Sequence, residues 1–233
     1  MRQIVLDTET TGLETSQGHR IIEIGCVELA DRKLTGNTYH RYINPERAVD
    51  EEAYQVHQLD NDFLADKPVF AKVADEFLEF INGAELIIHN AAFDIGFIDY
   101  EFSLLGGRLK PVSDYCSILD TLIYARKKHP GQKNSLDALC KRYGIDNSHR
   151  QLHGALLDAE ILADVYLAMT GGQTNLMLDA DEESEGETVA TIIRLSRQRD
   201  TLRVIRASEA ELAAHESRLD AIDSASNGAI WRQ

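Results

Sequence analysis

Asp7 and Glu9 stand two residues apart at the end of a mostly apolar, β-branched run over residues 3–8. On a strand, residues i and i+2 share a face, with Cα atoms roughly 6.5–7 Å apart. Two carboxylates so placed repel each other unless a cation lies between them. Hard divalent cations such as Mg²⁺ or Mn²⁺ take oxygen ligands. Thr8, between the two, points the other way and can pack beneath them. Taken alone, an Asp-x-Glu at a strand end is commonly a pair of solvated acids. Two further acids change the weighing. Asp94 follows a short apolar strand through Asn90-Ala91-Ala92-Phe93 and falls in the first turn of the next helix, where the helix dipole favours an acid in any case. Asp158 falls in a helix that starts near Ala155, and His153 precedes it by five positions. That step is roughly 140° on a regular helix, so His153 is expected on the loop just before the helix, from where it could bend toward Asp158. Four acids and one histidine, each at an element end or on a helix face, form a kit for two-metal phosphodiester hydrolysis. In that chemistry one cation activates water and the second stabilises the leaving oxygen. A histidine, whose unperturbed pKa lies near neutrality, can take the water's proton.

The elements that must position these residues are visible as changes of period. Strands are expected over 3–8, 20–29 and 35–43, the last two joined near Asp31-Arg32-Lys33-Leu34 as a hairpin. Val69, Val73, Phe77 and Phe80/Ile81 then repeat at helical spacing, and Gly83 stops the run. A buried-type strand over 85–89 precedes a helix over 93–105, and 112–116 reads as one more strand. Helices are expected over 118–128, 135–143 and 155–169. A meander followed by strand–helix alternation implies an α/β fold with a mixed sheet and helices packed on it.

The pattern breaks after Met169. Residues 1–170 are expected as one domain, 171–188 as a flexible linker and 189–233 as a separate C-terminal segment. Six of the nine residues 179–187 are acidic, too polar a stretch to order itself by burial. Ser208-Glu209-Ala210-Glu211 has the form of a capping box ahead of a helix over 209–222, with Leu212, Leu219 and Ile222 as a thin apolar stripe. This tail, with Trp231 near its end, is too short for a sound core of its own, and it reads as a segment that folds on a partner.

Composition sets the outer bounds. The 233 residues carry 24 Lys+Arg against 39 Asp+Glu, a net charge of −15, with 43 % apolar residues. That is ample for a core, and no apolar run is long enough to span a membrane. The N-terminus begins directly with a strand-like run and lacks a signal-peptide pattern. The three cysteines, Cys26, Cys116 and Cys140, are odd in number and widely spaced, as expected of reduced, buried thiols in a cytoplasmic protein. An acidic chain does not bind nucleic acid through its global field, because counterion release requires Lys and Arg against phosphates. The charge is uneven, however. Residues 108–150 hold nine Lys/Arg and four acids, +5 within the chain of −15. This is either an ordinary solvated surface or a rim that faces phosphate.

Leu6-Asp7-Thr8-Glu9-Thr10-Thr11-Gly12, Asn90-Ala91-Ala92-Phe93-Asp94 and His153-Gly154-Ala155-Leu156-Leu157-Asp158 resemble, in order and spacing, the three motifs of the DEDDh 3′–5′ exonucleases. Within that family the chain is similar to the proofreading subunits of bacterial DNA polymerase III over most of its length. The resemblance implies an RNase H-like α/β fold and two divalent cations, Mg²⁺ or Mn²⁺. It implies that Asp7 bridges both, that Glu9, Asp94 and Asp158 complete their shells, and that His153 is the general base. It also implies a DNA 3′ end, single-stranded or frayed, as substrate. Asp7, Glu9 and Asp158 would then lie against the substrate too, and Glu52 and His57, on a loop after the third strand, would be substrate contacts. Their position alone would leave both on the surface. Gln173-Thr174-Asn175-Leu176-Met177-Leu178 resembles a motif that docks on the sliding clamp, through Gln173, Leu176 and Leu178, with Leu178 where an aromatic is usual. Residues 189–233 correspond to the segment that binds the polymerase alpha subunit, and the resemblance leaves room for a small accessory subunit on the nuclease domain. A tether of this kind raises the effective concentration of the nuclease at the primer end, so an acidic chain need not grip DNA tightly by itself. Two other readings share the motifs: a DEDDh exonuclease that trims RNA 3′ ends, and a replisome scaffold whose nuclease site is inactive.

Overall fold

A computed structural model describes residues 1–147, 154–171 and 206–225. By its contacts the chain divides into two units, Met1–Leu176 and Met177–Gln233. The first is built on a five-stranded sheet in the order β3-β2-β1-β4-β5. Strands β1 (Arg2–Thr10), β2 (Ile21–Ala30) and β3 (Lys33–Tyr42) form an antiparallel meander. Strands β4 (Glu85–Ile88) and β5 (Ser117–Asp120) add parallel to β1. The β2–β3 hairpin closes through Asp31 and Arg32, both with positive φ, the backbone that a two-residue turn between twisted strands requires. Helices α1 (Glu51–His57), α2 (Asn61–Ala65) and α3 (Phe70–Ile81) connect β3 to β4. Then follow α4 (Ala91–Leu104), α5 (Thr121–Lys128), α6 (Leu136–Tyr143) and α7 (Ala155–Thr170).

The core has two parts, one on each face of the sheet. Ile4, Leu6, Ile24, Leu86 and Ile88 pack with Phe70, Phe77, Phe97 and Phe102 of α3 and α4. Val5, Val27 and Ile87 pack with Leu139 of α6 and with Leu162 and Val165 of α7. Alternate residues of one strand thus enter opposite cores, which is the strand period of two expressed in packing. Cys26, Cys116 and Cys140 are buried and form no disulfide.

The region from 112 to 121 differs from the periodicity reading. Residues 112–116 are not a strand. Val112–Asp114 is a 3₁₀ turn after Pro111, with Val112 fully buried and its N–H donated to Asp99 Oδ1 at 2.7 Å. The strand comes next, at Ser117–Asp120, so α5 begins at Thr121 rather than at residue 118. A strand this short carries too few residues for a period to declare itself. Asp120 ends it as the N-cap of α5, with Oδ1 accepting from Leu122 N and Ile123 N.

In the second unit, α8 (Glu209–Ala225) begins with the capping box. Ser208 N donates to Glu211 Oε2 at 2.7 Å, and Glu211 N donates back to Ser208 Oγ at 3.3 Å. Among the described residues no helix is long and apolar enough to cross a membrane.

Candidate metal and active site

The alternation of β1 continues past the core. Asp7 and Glu9 therefore emerge on the face that bears α7, and Thr8 on the face that bears α4. Both helices bring an acid in the first turn, Asp158 on α7 and Asp94 on α4. Asp7, Glu9 and Asp158 each offer a carboxylate oxygen, and these atoms lie within 4.8 Å of one another. Asp94 stands outside that closest group. It reaches the strand end from the opposite face, where its Oδ1 accepts from Thr8 Oγ1 at 2.7 Å. The middle residue of Asp7-Thr8-Glu9 thus ties the fourth acid to the strand that carries the first two. Burial pushes the Asp94 carboxyl up to about 7, and the charge of Asp120 adds to this, while the Thr8 hydroxyl and nearby backbone N–H groups oppose it. A cation beside Asp94 would draw it back down. The donor set is carboxylate oxygen throughout, which suits Mg²⁺ or Mn²⁺ better than a soft metal. His153 lies outside the described residues; it directly precedes Gly154, the N-cap of α7.

Four supports hold this convergence, and the sequence reading missed them. Gly25 pairs with Asp7 across β1 and β2. A Cβ at that position would lie 2.2 Å from the backbone of Ala155 and Leu156. Its value is close approach: the start of α7 rests directly on the sheet, one turn from Asp158. An isolated glycine in an apolar strand was the available signal. Second, Glu101, 1 % exposed, accepts from Arg20 Nε and Nη2 at 2.7 Å each and from Ile21 N at 3.2 Å. This fork fixes α4 to the start of β2. Third, Asp120 Oδ2 accepts from Ala91 N at 3.0 Å, so the acid that caps α5 also holds the first turn of α4. Fourth, Glu23 sits opposite Glu9 in the strand pairing, is 3 % exposed, and meets His40 Nε2 at 2.7 Å. The pairing register shifts between Glu9 and Thr10, an irregularity that bends the strand just past the acids.

Glu101→Gln keeps the shape of the Arg20 fork and removes its charge. It should cost on the order of 2 kcal/mol of stability, because Arg20 keeps partial access to water. Chemical denaturation of the variant beside the wild type measures this, and an unchanged midpoint would mean that the fork does not fix α4.

A cavity of about 510 Å³ opens beside Glu9, between the Thr10–Gly12 turn and α1, within the usual range for small-ligand sites. Leu13, Val56 and Phe93 give it an apolar wall, and Glu52 and His57 add polar groups. Glu52 and His57 lie on α1 and not on a loop, and His57 is 5 % exposed rather than on the surface. His57 Nδ1 accepts from Leu59 N at 3.0 Å, so the neutral ring carries its proton on Nε2. The turn is docked to α1 from below. Thr11 O accepts from Asp50 N, Thr11 Oγ1 meets His19 Nδ1 at 3.0 Å, and His19 Nε2 faces Asp50 Oδ2 at 3.5 Å. Gly12 is required there, because a Cβ would meet the His19 ring at 2.3 Å. Gln173, Leu176 and Leu178 of the clamp-type motif, residues 172–188 of the expected linker and Trp231 lie outside the described residues.

The family model described as Exonuclease (RNase_T) matches residues 4–166. DNA polymerase III subunit epsilon of Salmonella typhimurium is 58 % identical over 99 % of this chain and 97 % of its own length. The Escherichia coli K12 protein of the same name is 57 % identical, also over 99 % and 97 %. The solved structure of exonuclease X in complex with 5′-overhanging duplex DNA superposes with a TM-score of 0.58 at 26 % identity, over 72 % of this chain and 91 % of that one. The matched span and these identities show that the chain belongs to the exonuclease family and, within it, to the family of DNA polymerase III epsilon subunits.

Proposed function

We propose that this chain is a proofreading 3′–5′ exonuclease that removes nucleoside 5′-monophosphates from mispaired DNA 3′ ends. The observation that carries the reading is the group formed by Asp7, Glu9 and Asp158, with oxygens within 4.8 Å of one another and with Glu9 lining the cavity. Asp94 and Thr8 buttress it from the other face. Asp7, Glu9, Asp94 and Asp158 would hold two divalent cations, which supply, when bound, Lewis-acid stabilisation of the attacking and leaving oxygens. His153 takes the proton of the attacking water. The water oxygen bonds to phosphorus as the bond from phosphorus to the 3′ oxygen of the preceding nucleotide breaks. That oxygen gains a proton and leaves the shortened strand with a 3′ hydroxyl. Leu13, Val56 and Phe93 offer the terminal base an apolar face, and Glu52 and His57, which line the same cavity, would contact the nucleotide. A mispaired end costs less to unpair, so it reaches this site more often than a paired one.

The relatives are subunits of DNA polymerase III by name, which supports assembly with a polymerase. The segment 189–233 would dock on the alpha subunit through α8, whose Leu212 and Ile222 are exposed. Gln173, Leu176 and Leu178 would touch the sliding clamp across the 171–188 linker. Side-by-side hydrolysis of a 3′-mismatched DNA primer and a matched RNA oligomer with Mn²⁺ tests the reading. Release of deoxynucleotides in clear excess is expected, preference for RNA would favour end-trimming, and no release from either would favour a scaffold. In the same assay His153→Ala should slow hydrolysis on the order of 10²–10⁴-fold with Mn²⁺ affinity retained. Near-normal turnover would show that another group is the base.

A further inference from the structure

Residues 121–143 contain six Lys/Arg and a single acid, Asp137, in a chain whose net charge is −15. The fold gathers this stretch into α5, α6 and the loop between them, and there it borders a second cavity, of about 680 Å³. The groove is lined by His89 and Asn90 at the C-terminal end of β4, by Arg126 of α5, and by Gln132, Lys133 and Asn134 of the loop. Arg126 and Lys133 are exposed, and neither pairs with an acid among the described residues. The loop is preorganised. Arg142 donates to Asn134 Oδ1 at 3.1 Å and to Lys133 O at 2.8 Å, and Asn134 Nδ2 donates to Gln132 O at 3.0 Å. The one acid on the rim, Asp137, accepts from Asn147 Nδ2 at 3.1 Å.

The groove has a defined relation to the active site. Asn90 lines the groove, Phe93 lines the nucleotide-sized cavity, and Asp94 follows in the same helical turn. The two cavities therefore flank the first turn of α4. A polyanion approaching a strongly acidic protein is steered to the place where the local field is positive. We propose that this groove holds the phosphate backbone of the nucleotides upstream of the one being removed, on the strand that is cut. The proposal rests on the exonuclease reading above and adds to it a second contact region. It also answers how a chain of this charge engages DNA at all: the acids serve the cations at the reacting phosphate, and Arg126 and Lys133 serve the phosphates behind it.

The test compares wild type with the Arg126→Ala/Lys133→Ala double variant on two substrates. One is the p-nitrophenyl ester of thymidine 5′-monophosphate, which has no upstream nucleotide, and the other is a single-stranded DNA decanucleotide. The variant should hydrolyse the ester as wild type does. Its KM for the decanucleotide should rise roughly tenfold, and the slope of log KM against log salt should shrink by about 1.4, the effect of two lost phosphate contacts on a single strand. Unchanged KM and slope would overturn the proposal. So would an equal loss on the ester. Failure of the wild type to cleave either substrate would instead count against the exonuclease reading itself.

Discussion

Asp158→Ala is expected to lower DNA hydrolysis by at least roughly 10³-fold, because the oxygen it removes is one of three that meet at the strand end, and metal assistance contributes several kcal/mol to such a transition state. The same substitution should not harm the fold in the absence of metal. Asp158 is buried in the first turn of α7, close to two other carboxylates, and the like-charge repulsion relieved by removing it offsets what an acid contributes at a helix N-terminus. The two effects together give a signature that a merely structural residue would not produce. Wild-type protein should gain thermal stability when Mn²⁺ is added, since a ligand that binds the native state raises its stability. Asp158→Ala should melt no lower than wild type without Mn²⁺ and should show no shift with it. Asp7→Ala should behave alike. A variant that keeps both the Mn²⁺ shift and its turnover would show that the three oxygens are not a metal site.

Gly25→Ala is also expected to damage activity, although residue 25 bears no chemistry. The added Cβ would be 2.2 Å from Ala155 C and Leu156 N. Those are main-chain atoms, so no side-chain rotation relieves the contact, and the start of α7 must lift from the sheet. Asp158 moves with it, away from Asp7, the strand partner of Gly25. A misplacement of about 1 Å in such a constellation can cost on the order of 10²-fold in rate, and overpacking costs about 1–3 kcal/mol in stability. Mn²⁺ affinity separates the two consequences. Leu139→Ala, in the same core but on α6, should lose about 2–5 kcal/mol of stability while leaving Mn²⁺ affinity as it was. Gly25→Ala should weaken Mn²⁺ binding even at temperatures where it is fully folded. Ala155→Gly should fail to rescue it, because the clash does not involve the Ala155 side chain. Wild-type Mn²⁺ affinity in Gly25→Ala would show that the spacing of α7 on the sheet does not set the site.

The long elements were legible because their burial is one-sided. The β-branched run into Asp7, the repeat of Val73, Phe77 and Ile81, and the Ser208–Glu211 capping box each encode their own conformation within a few residues. Asp94 and Asp158 could be assigned to first turns of helices on the same grounds. What failed was short or cryptic: the 112–116 run became a 3₁₀ turn because Val112 is buried through a turn held by Asp99. Glu52 and His57 sit on a seven-residue helix that no periodicity announces.

The residue types of the site, its preference for hard cations and the order of the elements are properties of the chain read along its length, since each depends on local chemistry or local period. That Asp94 and Asp158 reach one strand end from opposite faces of the sheet is a different kind of fact. It depends on α4, in the crossover from β4 to β5, and α7, beyond the last strand, packing on opposite faces of the sheet, on a glycine that admits a helix against a strand, and on a buried Glu101–Arg20 fork that ties α4 to β2. Those are contacts between residues 80 or more positions apart, or clearances of a single carbon atom, and no local pattern carries them.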